Sequence, residues 1–85
     1  MWVNFTLKWN GMVWQCEAKV YDTPSMFGIR NGRVSKLSAL SDNDTEYQYD
    51  RGWPVDDAGE ECKAPDGLID EIMKKYPEVL QCVSV

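Results

Sequence analysis

Apolar and polar residues alternate from Trp2 to Val20, on both sides of an Asn10-Gly11 pair. This arrangement predicts a β-hairpin, because both residues of a two-residue turn must adopt positive φ, which Asn and Gly tolerate best. The register that follows places these apolar pairs on one face: Trp9–Met12, Leu7–Trp14, Phe5–Cys16 and Val3–Ala18. The other face receives the mostly polar pairs Lys8–Val13, Thr6–Gln15, Asn4–Glu17 and Trp2–Lys19. One face is therefore expected to be buried and the other to contact water.

A second Asn-Gly pair, Asn31-Gly32, predicts a second hairpin by the same reasoning. Its register would give the pairs Ile29–Val34, Arg30–Arg33, Phe27–Lys36 and Met26–Leu37. The opposed arginines are unfavourable unless solvent or an anion separates them. Gly28, inside the incoming strand, indicates a bulge or a close approach of two backbone segments.

The remainder of the chain predicts one further strand and one helix before its C-terminal residues. Thr45–Arg51 alternates, with two tyrosines on one side, and predicts a strand. Helical spacing follows Pro65, with apolar residues at Leu68, Ile69, Ile72, Met73 and Tyr76, and Pro77 is expected to end the helix. Glu78–Val85 predicts a short closing strand, with a further helical turn as the alternative.

These elements predict one α+β domain over residues 1–85. Its sheet would be five- or six-stranded and mainly antiparallel, with one helix across the apolar face. The 85 residues are too few for a second core. No apolar run approaches the ~20 residues that a membrane-spanning helix needs, and no signal-peptide pattern is present at the N-terminus. We therefore expect a cytoplasmic protein.

Acidic residues concentrate in the middle of the chain. The net charge is −5, but residues 41–61 alone carry eight acids and one base, a net of −7. Such a block argues against direct nucleic-acid binding, which needs a basic footprint, and favours a partner with a basic surface. The acids within it that we expect to bind a partner are Asp42, Asp44, Glu46, Asp56, Asp57, Glu60 and Glu61.

Arg51 and Trp53 add a second candidate feature beside this block. Next to Tyr49, they have the composition of an interface hot spot. The alternative is structural: an arginine stacked on an aromatic ring and paired with a carboxylate, closing the edge of the sheet.

Three cysteines, Cys16, Cys62 and Cys82, exclude a complete intrachain disulfide framework. Three thiolates and one carboxylate would suffice for a tetrahedral zinc site, but no Cys-x-x-Cys spacing or histidine supports one. Ordinary reduced thiols are the favoured interpretation, so no cofactor is expected. The absence of histidine and of any nucleophile motif also argues against an enzyme.

Two separated segments resemble a family of small uncharacterised proteins from Firmicutes and their phages. The first runs from Ser25 to Leu37 and contains Ser-Met-Phe-Gly-Ile followed by Gly-Arg-Val-Ser-Lys-Leu; the second is Tyr-Asp-Arg-Gly-Trp at residues 49–53. The resemblance covers about the first two-thirds of the chain. Pro54 departs from the family pattern, which usually has Asp there, and residues 62–85 do not align. The resemblance implies a fold and a bacterial or phage context, without an activity.

Charge and resemblance together suggest a small, acidic, non-catalytic protein that binds a host protein. Its leading form is an anti-CRISPR-like phage inhibitor that occludes a basic groove of a nucleic-acid-handling defence complex. The alternative is a structural or accessory domain that forms a homo-oligomer through an exposed sheet edge, with a metal-stabilised module as a further form.

Overall fold

The computed structural model describes residues 1–75, which form an antiparallel sheet and one α-helix. The elements are β1 (Trp2–Trp9), β2 (Met12–Val20), β3 (Val34–Ser41), β4 (Glu46–Asp50) and α1 (Asp66–Lys75). The strands lie in the order β1-β2-β3-β4, each antiparallel to its neighbour. The α+β class is confirmed, but the sheet of residues 1–75 has four strands rather than five or six. The predicted closing strand Glu78–Val85 lies outside the described residues.

The first hairpin has the predicted register at all eight pairs, from Trp9 opposite Met12 to Trp2 opposite Lys19. Asn10 and Gly11 both have positive φ, 54° and 75°. These values suit a turn whose twist matches that of the strands. The predicted alternation is also confirmed, since every second residue of β2 from Trp14 to Val20 is buried.

The second predicted hairpin is wrong. Residues 21–33 form a loop with one short 3₁₀ turn at Ile29–Asn31, and Val34 begins a strand that pairs with β2 on one side and β4 on the other. With both edges of β3 occupied, no edge is left for a strand at residues 26–30. The predicted Arg30–Arg33 pair does not form. Instead, Arg30 contacts Asp70 of the helix at 2.6 Å, and the Arg33 side chain donates to the Tyr21 carbonyl at 2.9 Å.

Gly28 makes the close backbone approach that its position in the sequence suggested. A Cβ atom at this residue would lie 2.1 Å from the carbonyl oxygen of Gly32. No side chain fits there, because the contact is with backbone rather than with a movable side chain. The loop therefore folds tightly onto itself just before β3.

The helix covers the apolar face of the sheet, as predicted. Leu68, Ile69 and Ile72 have no exposed surface, and they pack into one cluster with the buried residues of the strands. Trp14, 1 % exposed, stacks on Tyr47 with ring centroids 5.8 Å apart. Within residues 1–75, no helix is long and apolar enough to cross a membrane.

Candidate functional site

The predicted partner-binding carboxylates lie in two separate turns. One turn joins β3 to β4, and the other is a loop between β4 and the helix. Every carboxylate of the predicted set is on an exposed residue. The β3–β4 turn and the start of β4 carry Asp42, Asp44 and Glu46; the loop carries Asp56, Asp57, Glu60 and Glu61.

Backbone and side-chain hydrogen bonds fix the β3–β4 turn. The Ser41 amide donates to the Thr45 carbonyl at 2.8 Å, and the Ser41 hydroxyl accepts from the Thr45 amide at 3.0 Å. The Asp42 amide donates to the carbonyl of Val13 on β2 at 3.0 Å. The turn is thus anchored to the sheet while its carboxylates face water.

The second turn is a small hairpin closed by a bridge between Val55 and Glu61. The Asp56 side chain accepts hydrogen bonds from the amides of Ala58 and Glu60, both at 2.9 Å. Asp56 therefore shapes the loop, as aspartates in turns commonly do. Asp57, Glu60 and Glu61 are the carboxylates whose side chains it presents.

Most carboxylates of this acidic block form no ion pair within residues 1–75. Within residues 1–75, the only ion pair made by a carboxylate of residues 41–61 joins Asp50 to Lys36, at 3.8 Å. The remaining carboxylates of the block lie on exposed residues. A surface of this kind attracts a positively charged partner over a distance that shrinks as salt rises.

Arg51 and Trp53 belong to a different surface, where residues 49–53 meet the loop before β3. The Arg51 guanidinium lies 5.0 Å from the centre of the Phe27 ring, and the Tyr49 hydroxyl donates to the Phe27 carbonyl at 2.7 Å. Trp53 packs edge-on against Tyr49, with centroids 4.9 Å apart. Arg51 is therefore stacked on an aromatic ring from the loop before β3, as the structural alternative predicted. The carboxylate partner that this alternative also predicted is not found among residues 1–75.

The buried Tyr49 is the centre of this junction. Burial raises the pKa of its hydroxyl, and the nearby Tyr21 and Glu61 raise it further. The hydroxyl therefore stays protonated and able to donate to Phe27. Sequence reasoning does not select Phe27, because the predicted second hairpin places it opposite Lys36. The available signal is its position in the Ser-x-aromatic-Gly-Ile pattern.

The predicted zinc ligands differ in their surroundings. Cys16 is buried in the core and Cys62 is exposed, while Cys82 lies outside the described residues. Burial raises the pKa of Cys16 to about 11, with Lys75 opposing the shift. Because zinc binds the thiolate, a metal at Cys16 would have to displace a proton that burial holds more tightly. Residues 1–75 contain no group of three or more Cys, His, Asp or Glu side chains placed to hold a metal ion.

Comparison with known proteins gives a family but no activity. The model of a family described as "Domain of unknown function (DUF7678)" matches residues 1–77. None of the curated proteins and none of the solved structures matches the chain. The chain therefore belongs to this family. Membership of a family of unknown function is confirmed, and the match to residue 77 extends past the first two-thirds of the chain to which the expected resemblance was limited. The two motifs and the bacterial or phage context stay predictions.

Proposed function

We propose that this DUF7678 domain is a non-catalytic protein-binding domain whose carboxylates dock on a basic surface of a partner. The observation that carries the proposal is the presentation of exposed, largely unpaired carboxylates on two hydrogen-bonded turns. In its more specific form, the domain is a phage inhibitor acting in the cytoplasm of a bacterial host. It would occlude a basic groove of a nucleic-acid-handling defence complex, such as a CRISPR effector.

The mechanism is steric and electrostatic. Complementary charge accelerates encounter and orients the two surfaces, and the bound domain then blocks the groove by its volume. Turns already ordered by hydrogen bonds lose less conformational freedom on binding than a disordered acidic tail would. Association should therefore slow as ionic strength increases.

Reversal of the loop charges tests this function. The variant carries Asp57→Lys, Glu60→Lys and Glu61→Lys and keeps Asp56, whose side chain holds the turn. Tagged wild-type protein and the variant are used to capture partners from bacterial lysate that contains CRISPR effector complexes, at stepped salt concentrations. We expect the wild type to retain one stoichiometric partner. The variant should bind that partner at least about tenfold more weakly.

The matched control is Glu17→Lys, at an exposed position on the outer face of the sheet and away from both turns. It changes the net charge in the same direction but should keep the partner. Capture of the same partner by the triple variant, with the same salt dependence, would rule out docking through the acidic loop.

The open edge of the sheet favours a second candidate function, a homo-oligomeric accessory domain. Among residues 1–75, the eight-residue β1 has a strand neighbour on one side only. Such an edge presents backbone donors and acceptors that can pair with a second copy of the chain. Light scattering after size exclusion separates the candidates, since a stable symmetric oligomer that captures no partner would favour this one.

A further inference from the structure

An open concavity of about 510 Å³ spans β2, β3 and the turn after β4. Its lining residues are Lys19, Tyr21, Ser35, Lys36, Asp50 and Arg51. Three are basic and one is acidic, so this surface carries a net charge of +2 in a chain whose overall charge is −5. The concavity is therefore positively charged although the protein as a whole is negatively charged.

Two of the bases face each other directly. The register of β2 and β3 places Lys19 opposite Lys36, and like charges in that position destabilise a sheet. Asp50 offsets this only in part, since its carboxylate lies 3.8 Å from the Lys36 ammonium, beyond hydrogen-bond distance. An anion between the two lysines would remove the repulsion.

Aromatic rings restrain two of the three cations. The Lys19 ammonium lies 5.9 Å from the centre of the Trp2 ring, and the Arg51 guanidinium lies 5.0 Å from that of Phe27. Both distances are within the range of cation–π attraction. Within residues 1–75, neither cation forms an ion pair. Cation–π attraction thus holds these two side chains without neutralising their charge.

A β-bulge at Ser35 fixes the backbone around the concavity. Lys19 faces Lys36 whereas Val20 faces Val34, so Ser35 is an extra residue on β3. Its hydroxyl donates to the Lys19 carbonyl at 3.1 Å, and its carbonyl accepts from the Arg51 amide at 2.9 Å. Arg51 itself has a φ of 58°. Bulges and left-handed non-glycine residues both cluster at functional sites.

We propose that this concavity binds a phosphate dianion, either free or as the phosphomonoester of a small molecule. The net charge of +2 balances a phosphomonoester, whose charge is about −1.5 to −2 at neutral pH, better than it balances a single carboxylate. A guanidinium suits the bidentate binding of phosphate oxygens. None of the carboxylates of the two acidic turns lines the concavity.

Titration of ¹⁵N-labelled protein with inorganic phosphate, at constant ionic strength, tests this site. We expect saturable shifts of the backbone amides of Lys19, Ser35, Lys36 and Arg51. Lys19→Gln should weaken phosphate binding about tenfold, because a charged hydrogen-bond donor is lost. The same variant should melt close to wild type in phosphate-free buffer, because relief of the repulsion from Lys36 offsets the lost contact with Trp2. This result would separate lost binding from lost folding.

Lys8→Gln is the matched control, because Lys8 is an exposed lysine on the same sheet that faces Val13 rather than another base. It should bind phosphate like the wild type. If Lys8→Gln and Lys19→Gln weakened phosphate binding equally, the overall charge of the protein would explain the effect and the proposal would be overturned. Shifts of the same size with sodium acetate at matched ionic strength would overturn it as well.

Two further probes identify the source of the phosphate and the independence of the site. Adenosine monophosphate that binds tighter than inorganic phosphate supports a phosphomonoester, while equal binding supports the free ion. Protein with Asp57, Glu60 and Glu61 all changed to Lys should still bind phosphate at Lys19 and Arg51. Failure of partner capture would therefore count against the proposed function, and failure of phosphate binding against the phosphate site.

Discussion

The chain contains the same Asn-Gly pair twice, and the two copies have different structures. Asn10 and Gly11 both have positive φ and join two strands that pair with each other. At the second copy, Asn31 has a φ of 56°, but Gly32 has a φ of −102° and the flanking segments do not pair. Identical dipeptides thus form a hairpin turn in one place and the end of a 3₁₀ turn in the other.

The surroundings of the two pairs explain the difference. Around the first, regular alternation continues for eight residues on each side, so the turn and the burial of one face favour the same register. Before the second, Gly28 and the short distance from Pro24 interrupt the pattern. In addition, β3 already has two strand neighbours. A turn signal therefore predicts a hairpin only where both flanking strands have a free edge to share.

Gly28→Ala should have the largest effect on this comparison. The added Cβ would lie 2.1 Å from the Gly32 carbonyl oxygen, so the loop must shift, and we expect a loss of about 3 kcal/mol in the free energy of unfolding. Urea denaturation measures it. Gly52→Ala is the control, because no atom lies within 4 Å of its added Cβ, and it should change stability by less than about 0.5 kcal/mol. Equal effects of the two variants would refute the close approach.

Gly11→Ala should have the next largest effect, for a different reason. Here there is space for a Cβ, but φ is +75°, which costs an L-residue about 1–2 kcal/mol. A synthetic chain with D-alanine at this position should recover the lost stability, since positive φ is the natural conformation of a D-residue. If D-alanine were as destabilising as L-alanine, strain at the hairpin turn would not be the cause.

Arg30→Ala should have a smaller, salt-dependent effect. Arg30 joins the loop to the helix through Asp70 at 2.6 Å and Asp66 at 3.6 Å, and all three side chains are substantially exposed. Exposed pairs contribute up to about 1 kcal/mol, so the loss should be of that size in low salt and smaller in 1 M salt. Arg30→Gly separates the effect of the ion pair from that of backbone strain. Both variants lose the ion pair, but glycine adopts the positive φ of 54° without strain. A loss that did not change with salt would contradict an electrostatic anchor.

The smallest expected effect is a dependence on acidic pH at the same anchor. A hydrogen bond and charge attraction from Lys63, with a further contribution from Arg30, lower the pKa of Asp66. Because the folded pKa is below the unfolded one, the stabilisation is present above the ordinary pKa of an aspartate and disappears as pH falls through the lowered value. The melting temperature of Asp66→Asn should therefore change less with pH in this window than the melting temperature of the wild type does. An unchanged slope would show that Asp66 does not contribute.

Local patterns account for the parts of the fold that sequence predicted. The hairpin register, the strand at residues 46–50 and a helix that begins at Asp66 each depend on alternation or helical spacing within one segment. The failed hairpin and the bulge at Ser35 depend on which strands β3 has as neighbours. Which strands pair with each other is determined by the whole sheet, so the pattern of residues 26–37 alone cannot predict the pairing.

The same distinction holds for the candidate sites. The acidic turns could be predicted, because consecutive charges in a polar segment are exposed wherever the segment lies. The grouping of Lys19, Lys36 and Arg51 could not, since it requires the registers of β2 with β3 and of β3 with β4 together. Nor could the stacking of Arg51 on Phe27, which joins residues that are far apart in the chain.

A nuclear Overhauser experiment tests the central claim, that the loop before β3 docks on the sheet instead of pairing with β3. The account predicts contacts between the Phe27 ring and the Arg51 side chain, together with cross-strand contacts between Cys16 and Ala39. Cross-strand contacts between Ile29 and Val34, with none between Phe27 and Arg51, would instead show a second hairpin at Asn31-Gly32 and would contradict both the fold and the phosphate site built on it.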